Sequence, residues 1–278
     1  MNAPKEFIDL VYSAENQQNY IGMGNPNARI LIIGREPAHD LQSKKEDKKL
    51  LAEAEKDYER DQILNKPNWK NLIEDKPLSG VLWKGRVEVC NPRRPFPNQK
   101  CLRADGNNDG TATTWIWYQK LVDLILGREY DRRLYSLRLL DFHDFCFHTD
   151  ISSAAAKNLA TTNKDAKTAS VEERSRELFS HPFFRQFPIV ILGIGTDVGQ
   201  YVSLEWCDKV LGFPTHEVEK AYNADEKEPM LWVNRDTKGH RILLHTQCLS
   251  QPSWEYITKI RDIIWSDGKS DFCWPKAY

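Results

Sequence analysis

The chain has 278 residues, 40% hydrophobic and 11% aromatic, with nine tryptophans. That is too much apolar and aromatic content for a disordered chain and enough length to bury a sizeable core. With 39 basic and 40 acidic residues the net charge is −1, which excludes a polycation that coats nucleic acid indiscriminately. The opening residues carry Lys5, Glu6 and Asp9 where an export signal needs an apolar run, so a cytoplasmic location without membrane association is expected. The six cysteines show no two-residue spacing. Reduced thiols are expected, and no metal or organic cofactor is required.

In chain order, the first apolar run is Arg29–Ile33, ended by Gly34. A charge-rich stretch from Asp40 to Lys76 predicts a solvated helix held by one apolar face. Residues 40–110 as a whole look like an insertion. Trp115–Leu126 places Tyr118, Val122 and Ile125 on one helical stripe. A second, less regular run covers Phe142–Phe147 and ends in His148-Thr149-Asp150. A helix is predicted from Val171 to Phe179, with Ser170 as cap and Glu173 as its box partner. Arg174 and Arg176 on it are expected to pair at the surface with Glu172, Glu173 and Glu177. The third run is Ile189–Leu192, ended by Gly193, with a helix at Thr196–Trp206 after it. The fourth is Arg241–Leu244, ended by His245, followed by a helix from Pro252 to Trp265.

Aliphatic strands alternating with helices predict an α/β fold: a three-layer sandwich with a short, mainly parallel central sheet flanked by helices, in one domain over 1–278. Ligands in such sheets sit beyond the carboxyl ends of the strands. Three of those ends carry Glu36, Asp150 and His245. A carboxylate on a Gly-Pro-stiffened turn can orient or deprotonate a water. A histidine at a strand end can donate to a developing oxyanion, or simply bond to backbone. No G-x-S-x-G elbow is present, and Gly193-Ile194-Gly195 is only a fragment of a phosphate loop.

The segments Ile32-Ile33-Gly34-Arg35-Glu36-Pro37 and Leu244-His245-Thr246-Gln247-Cys248-Leu249-Ser250, with Phe147–Ile151 between them, resemble the uracil-DNA glycosylase superfamily, closest to its divergent members. The resemblance implies a DNA base-excision enzyme acting on DNA, single- or double-stranded, that contains a modified base. Glu36 would position the attacking water, and His245 would stabilise the departing base. Gly34, Arg35, Pro37 and Thr149 or Asp150 would form the base site. Leu249, with Ser250, would fill the gap left by a flipped nucleotide, or Leu249 would be a core contact. Uracil-excising members use Asn on the second strand. An ionised Asp150 only accepts hydrogen bonds and suits an exocyclic amine better than a carbonyl, which predicts a base other than uracil or a loss of excision. Trp83–Arg103 carries Lys84, Arg86, Arg93, Arg94, Lys100 and Arg103 against Glu88. It is either a groove for a phosphate backbone or a surface loop whose arginines pair with acids elsewhere. The alternatives to an excision enzyme are an inactive nucleic-acid or nucleobase-binding module of the same fold and a hydrolase of free nucleosides. No obligate protein partner is evident.

Overall fold

The computed structural model describes residues 1–35, 41, 47–95, 99–101, 113–129, 137–154, 164–195, 203–214, 219–222, 231–250 and 252–268. In chain order these form α1 (Lys5–Tyr12), β1 (Met23–Gly24), β2 (Ile30–Gly34), α2 (Lys48–Tyr58), α3 (Asn65–Ile73), β3 (Val81–Trp83), β4 (Arg86–Glu88) and α4 (Thr113–Ile125). There follow β5 (Cys146–Asp150), α5 (Lys164–Arg174), β6 (Ile189–Leu192), α6 (Leu204–Trp206), β7 (Glu219–Tyr222), β8 (Leu231–Arg235), β9 (Ile242–His245) and α7 (Trp254–Ser266). Single π-helical turns extend α2, α5 and α6.

Seven strands form one sheet in the order β1-β5-β2-β6-β9-β8-β7. The four central strands, β5-β2-β6-β9, are parallel, and antiparallel strands flank them on both sides. Strand alternation divides the aliphatic runs between two cores. Leu31, Ile33, Phe147, Val190, Leu192 and Leu243 pack against α1, α3, α5 and the aromatic group Phe179, Phe183, Phe184 and Phe187. Ile30, Ile32, Cys146, Ile189, Ile191, Ile242 and Leu244 pack against α4 and α7. The predicted α/β sandwich is therefore present, each large buried side chain contributing about 1.5–3 kcal/mol.

Several boundaries differ from expectation. Phe142–Asp144 is a short 3-10 turn and the strand begins at Cys146, because its buried face has to register with Ile30–Gly34 of β2. The helix predicted at Val171 begins at Lys164, and Ser170 lies inside it. Its hydroxyl bonds Ser153 instead of capping. Ser203 caps α6 and Ser253 caps α7; Thr196, where the helix is predicted to begin, lies outside the described residues. The charged stretch contains α2, capped by Asp47, as well as α3. Trp69 of α3 is fully buried against Phe7 and Phe147, so this part of the 40–110 segment belongs to the main core.

The β3–β4 hairpin was not anticipated. Lys84 and Gly85 turn it with φ of 47° and 80°, the pair of left-handed residues that a tight two-residue hairpin needs. Cys90, Cys101, Cys146 and Cys207 are buried free thiols and Cys248 is a partly exposed one. Among the described residues no helix is long and apolar enough to cross a membrane, and no group of His, Cys, Asp and Glu could hold a metal ion.

Candidate active site at the carboxyl edge of the sheet

Ordered by first appearance in the chain, the four parallel strands stand as second, first, third, fourth. Chain connections therefore leave β2 and β6 in opposite directions, which makes the gap between them the switch point where open α/β sheets bind ligands. Gly34 ends β2 and Gly193 follows β6, and the pairing of the two strands continues there (Gly193 N donates to the Ile33 carbonyl, 2.9 Å). Asp150 lies beside Gly34 in parallel register on one side, and His245 lies beside Leu192 on the other.

Gly34 is required by crowding. A Cβ there would stand 2.6 Å from Asp150 Oδ1, 3.1 Å from the Tyr118 hydroxyl and 3.3 Å from His148 Nε2. These three side chains thus meet under the Gly34 backbone, on the face covered by α4. His148 Nε2 is 3.4 Å from Asp150 Oδ1, and its Nδ1 is buried with no partner among the described residues. The Tyr118 ring lies 5.3 Å from the His148 ring. Burial, then the neighbouring Asp150 carboxylate, raise the Tyr118 pKa well above its ordinary value, so the phenol keeps its proton.

Thr149 faces the other side. It is fully buried; its hydroxyl donates to the Ile21 carbonyl at 2.8 Å and accepts from Arg174 Nη2 at 2.9 Å. As placed, Thr149 is framework. The expectation for Arg174 is corrected: it is fully buried rather than paired at the surface. Besides Thr149 it donates to the Asp150 carbonyl (3.1 Å), the Tyr20 carbonyl (2.7 Å) and Gln18 Oε1 (3.3 Å). Burial holds its pKa down to about 10. Arg174 shares a helical stripe with Val171 and Leu178, spaced by three and four residues, and that pattern was the available signal for its burial. Arg176 does pair at the surface, with Glu177.

His245 is 2% exposed, and among the described residues neither ring nitrogen makes a hydrogen bond of ordinary geometry. Desolvation pushes its pKa down to about 4, opposed in part by the nearby Gly195 backbone, so the imidazole is neutral in the physiological range. By register it shares a row and a face with Leu192, Ile33 and Thr149. Asp150 and His245 therefore approach the carboxyl edge from opposite faces, and the structure does not bring them into contact.

Leu249 is 1% exposed and packs in the α4–α7 core, against the open side of Gly193. In this conformation it is a core contact, not a projecting wedge. Ser250 accepts from the Cys248 thiol at 3.5 Å. The Arg35 carbonyl accepts from Ser152 N at 3.1 Å, extending the β2–β5 ladder past Gly34. Glu36 and Pro37 lie outside the described residues, as does Arg103.

In the basic segment, Arg93 and Arg94 both pair with Asp144, Arg94 through two bonds of 2.8 and 2.9 Å. Arg86 pairs with Glu88, and Lys84 sits 5.2 Å over the Trp83 ring. Pairing with acids is thus observed for all three arginines. Compared with known proteins, the chain matches no family model and no curated sequence.

Proposed function

We propose that the chain hydrolyses the N-glycosidic bond of a nucleotide whose base is held at the carboxyl edge of the sheet. The observation that carries this reading is His245, a buried neutral imidazole at a strand end whose two nitrogens have no hydrogen-bond partner among the described residues. It stands at the end of β9, two strands from β2. Two strand spacings are about 10 Å, room for an attacking water, the sugar carbon it attacks and a base oxygen facing the imidazole. Glu36 takes a proton from the water as its oxygen bonds to the anomeric carbon. The carbon–nitrogen bond breaks, and its electron pair leaves on the base. A neutral imidazole donates to that anion without placing a cation beside the sugar as it, too, becomes cationic. Both His245 nitrogens are shielded from solvent, so substrate entry requires movement at this edge.

The test is base release from single- and double-stranded oligonucleotides carrying uracil, hypoxanthine, xanthine and other lesions, alongside the free nucleosides. Release from an oligonucleotide, lost in Glu36→Gln and reduced in His245→Ala, supports excision. Release from nucleosides alone makes the protein a nucleoside hydrolase. Oligonucleotide binding that Glu36→Gln leaves intact, with no release by the wild type, makes it a binding module.

A further inference from the structure

A cleft of about 480 Å³ lies between the Asn16–Asn19 segment and α3, and none of Gly34, Asp150 and His245 lines it. From its charges we infer that it binds a small molecule bearing a phosphate monoester, with the phosphate held between Lys66 and Lys70. The volume falls within the roughly 300–1,000 Å³ of small-molecule sites. Lys66 and Lys70 both line the cleft, one helical turn apart on the same face of α3. Lys66 Nζ donates to the Asn16 carbonyl, and Lys70 Nζ lies 5.6 Å over the Tyr12 ring. Among the described residues neither amine forms an ion pair.

The positive charge here lacks a counterpart. The first turn of α3 holds Lys66 and no acid, although the positive end of the helix dipole favours an anion there. Like charges one turn apart repel. Burial, then Lys70, lower the Lys66 pKa, and Glu177 offsets this only in part, being held by Arg176 and Gln18. Glu74 is the one acid among the described residues that line the cleft, and it is held at 2.6 Å by Lys76 and at 2.6 Å by the Tyr12 hydroxyl. It lies two turns beyond Lys66, about 12 Å along the helix, so an anion at the Lys66 end stands clear of it. A dianionic phosphate monoester matches two ammonium groups better than a single carboxylate does. Asn19, Asn71 and Ser79 line the remainder with uncharged polar groups, which suit a hydroxyl-bearing body such as a sugar.

Ribose 5-phosphate and its neutral twin ribose test this, titrated by calorimetry or ligand-observed NMR. The wild type is expected to bind the phosphate saturably, about tenfold or more tighter than ribose, and to lose affinity as salt is added. Lys70→Gln removes one charge from a partly exposed side chain; it is expected to fold normally and to bind about tenfold more weakly. Lys66→Gln should weaken binding similarly, whereas Lys49→Gln on α2, outside the cleft, should not. Binding should also raise the Lys66 amine pKa in a side-chain NMR titration, which a purely structural lysine would not show. Equal affinity for the two sugars, no saturable binding, or unchanged binding in Lys70→Gln overturns the inference. So does binding confined to an oligonucleotide without a terminal phosphate, which would make these lysines contacts for a phosphodiester backbone. None of these outcomes bears on the hydrolytic reading, which base release tests separately.

Discussion

Acidification should destabilise this protein through His245, by an amount that can be worked from its burial. The side chain is held at a pKa of about 4, against an ordinary value of 6.5. Between those two values the unfolded chain binds a proton that the folded chain refuses, so stability falls as pH drops through the window. The contribution is fully present above pH 6.5 and gone near pH 4. At about 1.4 kcal/mol per pH unit, the full window is worth roughly 3 kcal/mol. Burial also lowers His143 and His181, so the wild-type slope alone is not diagnostic. Urea unfolding of wild type and His245→Phe at pH 7, 6, 5 and 4.5 isolates the term as the difference between two curves. The variant is expected to lose less stability on acidification, with the curves converging by 2 kcal/mol or so at pH 4.5. Parallel curves would refute the premise that His245 is buried neutral.

Arg174→Met should cost about 3–5 kcal/mol in the same unfolding assay, because it strands the carbonyls of Tyr20 and Asp150 with Thr149 Oγ1 and Gln18 Oε1. A loss below about 1 kcal/mol would show that these acceptors find other partners. Gly34→Ala forces a methyl against Asp150 Oδ1 and should cost about 1–3 kcal/mol. Asp150→Ala should relieve most of that cost, and an undiminished cost in the double variant would place the clash elsewhere. Leu249→Ala should lose about 2–4 kcal/mol as a core truncation, whereas a projecting side chain would lose almost nothing. Reversing Asp144 to Lys should release Arg93 and Arg94 and weaken folding of the 91–95 turn, read as faster proteolysis there.

What could be read from the residues in order was whatever depends on neighbours in the chain. The four aliphatic runs were visible because strands covered on both faces need apolar side chains at every position. The amphipathic stripe of α4 and the polar residues at three strand ends were equally local. The order of the central strands, however, depends on pairings between residues about 50 to 160 positions apart, and no periodicity encodes those. The short edge strands and the β3–β4 hairpin carry too few residues for a pattern to stand out.

The site divides along the same line. Gly34, Asp150 and His245 were legible as residue types at strand ends. That Arg174 is buried, that Thr149 serves the framework, and that Leu249 lies in the core depended on which faces the helices cover. Tyr118 and His148 looked like ordinary core residues of their elements. Only the packing of α4 over β5 and β2 sets a phenol, an imidazole and a carboxylate around one glycine. Local sequence specifies which groups a strand or helix can present. Whether such a group meets water, a partner or another charged group is decided by desolvation and close packing among distant segments, and those exist only once the chain has folded.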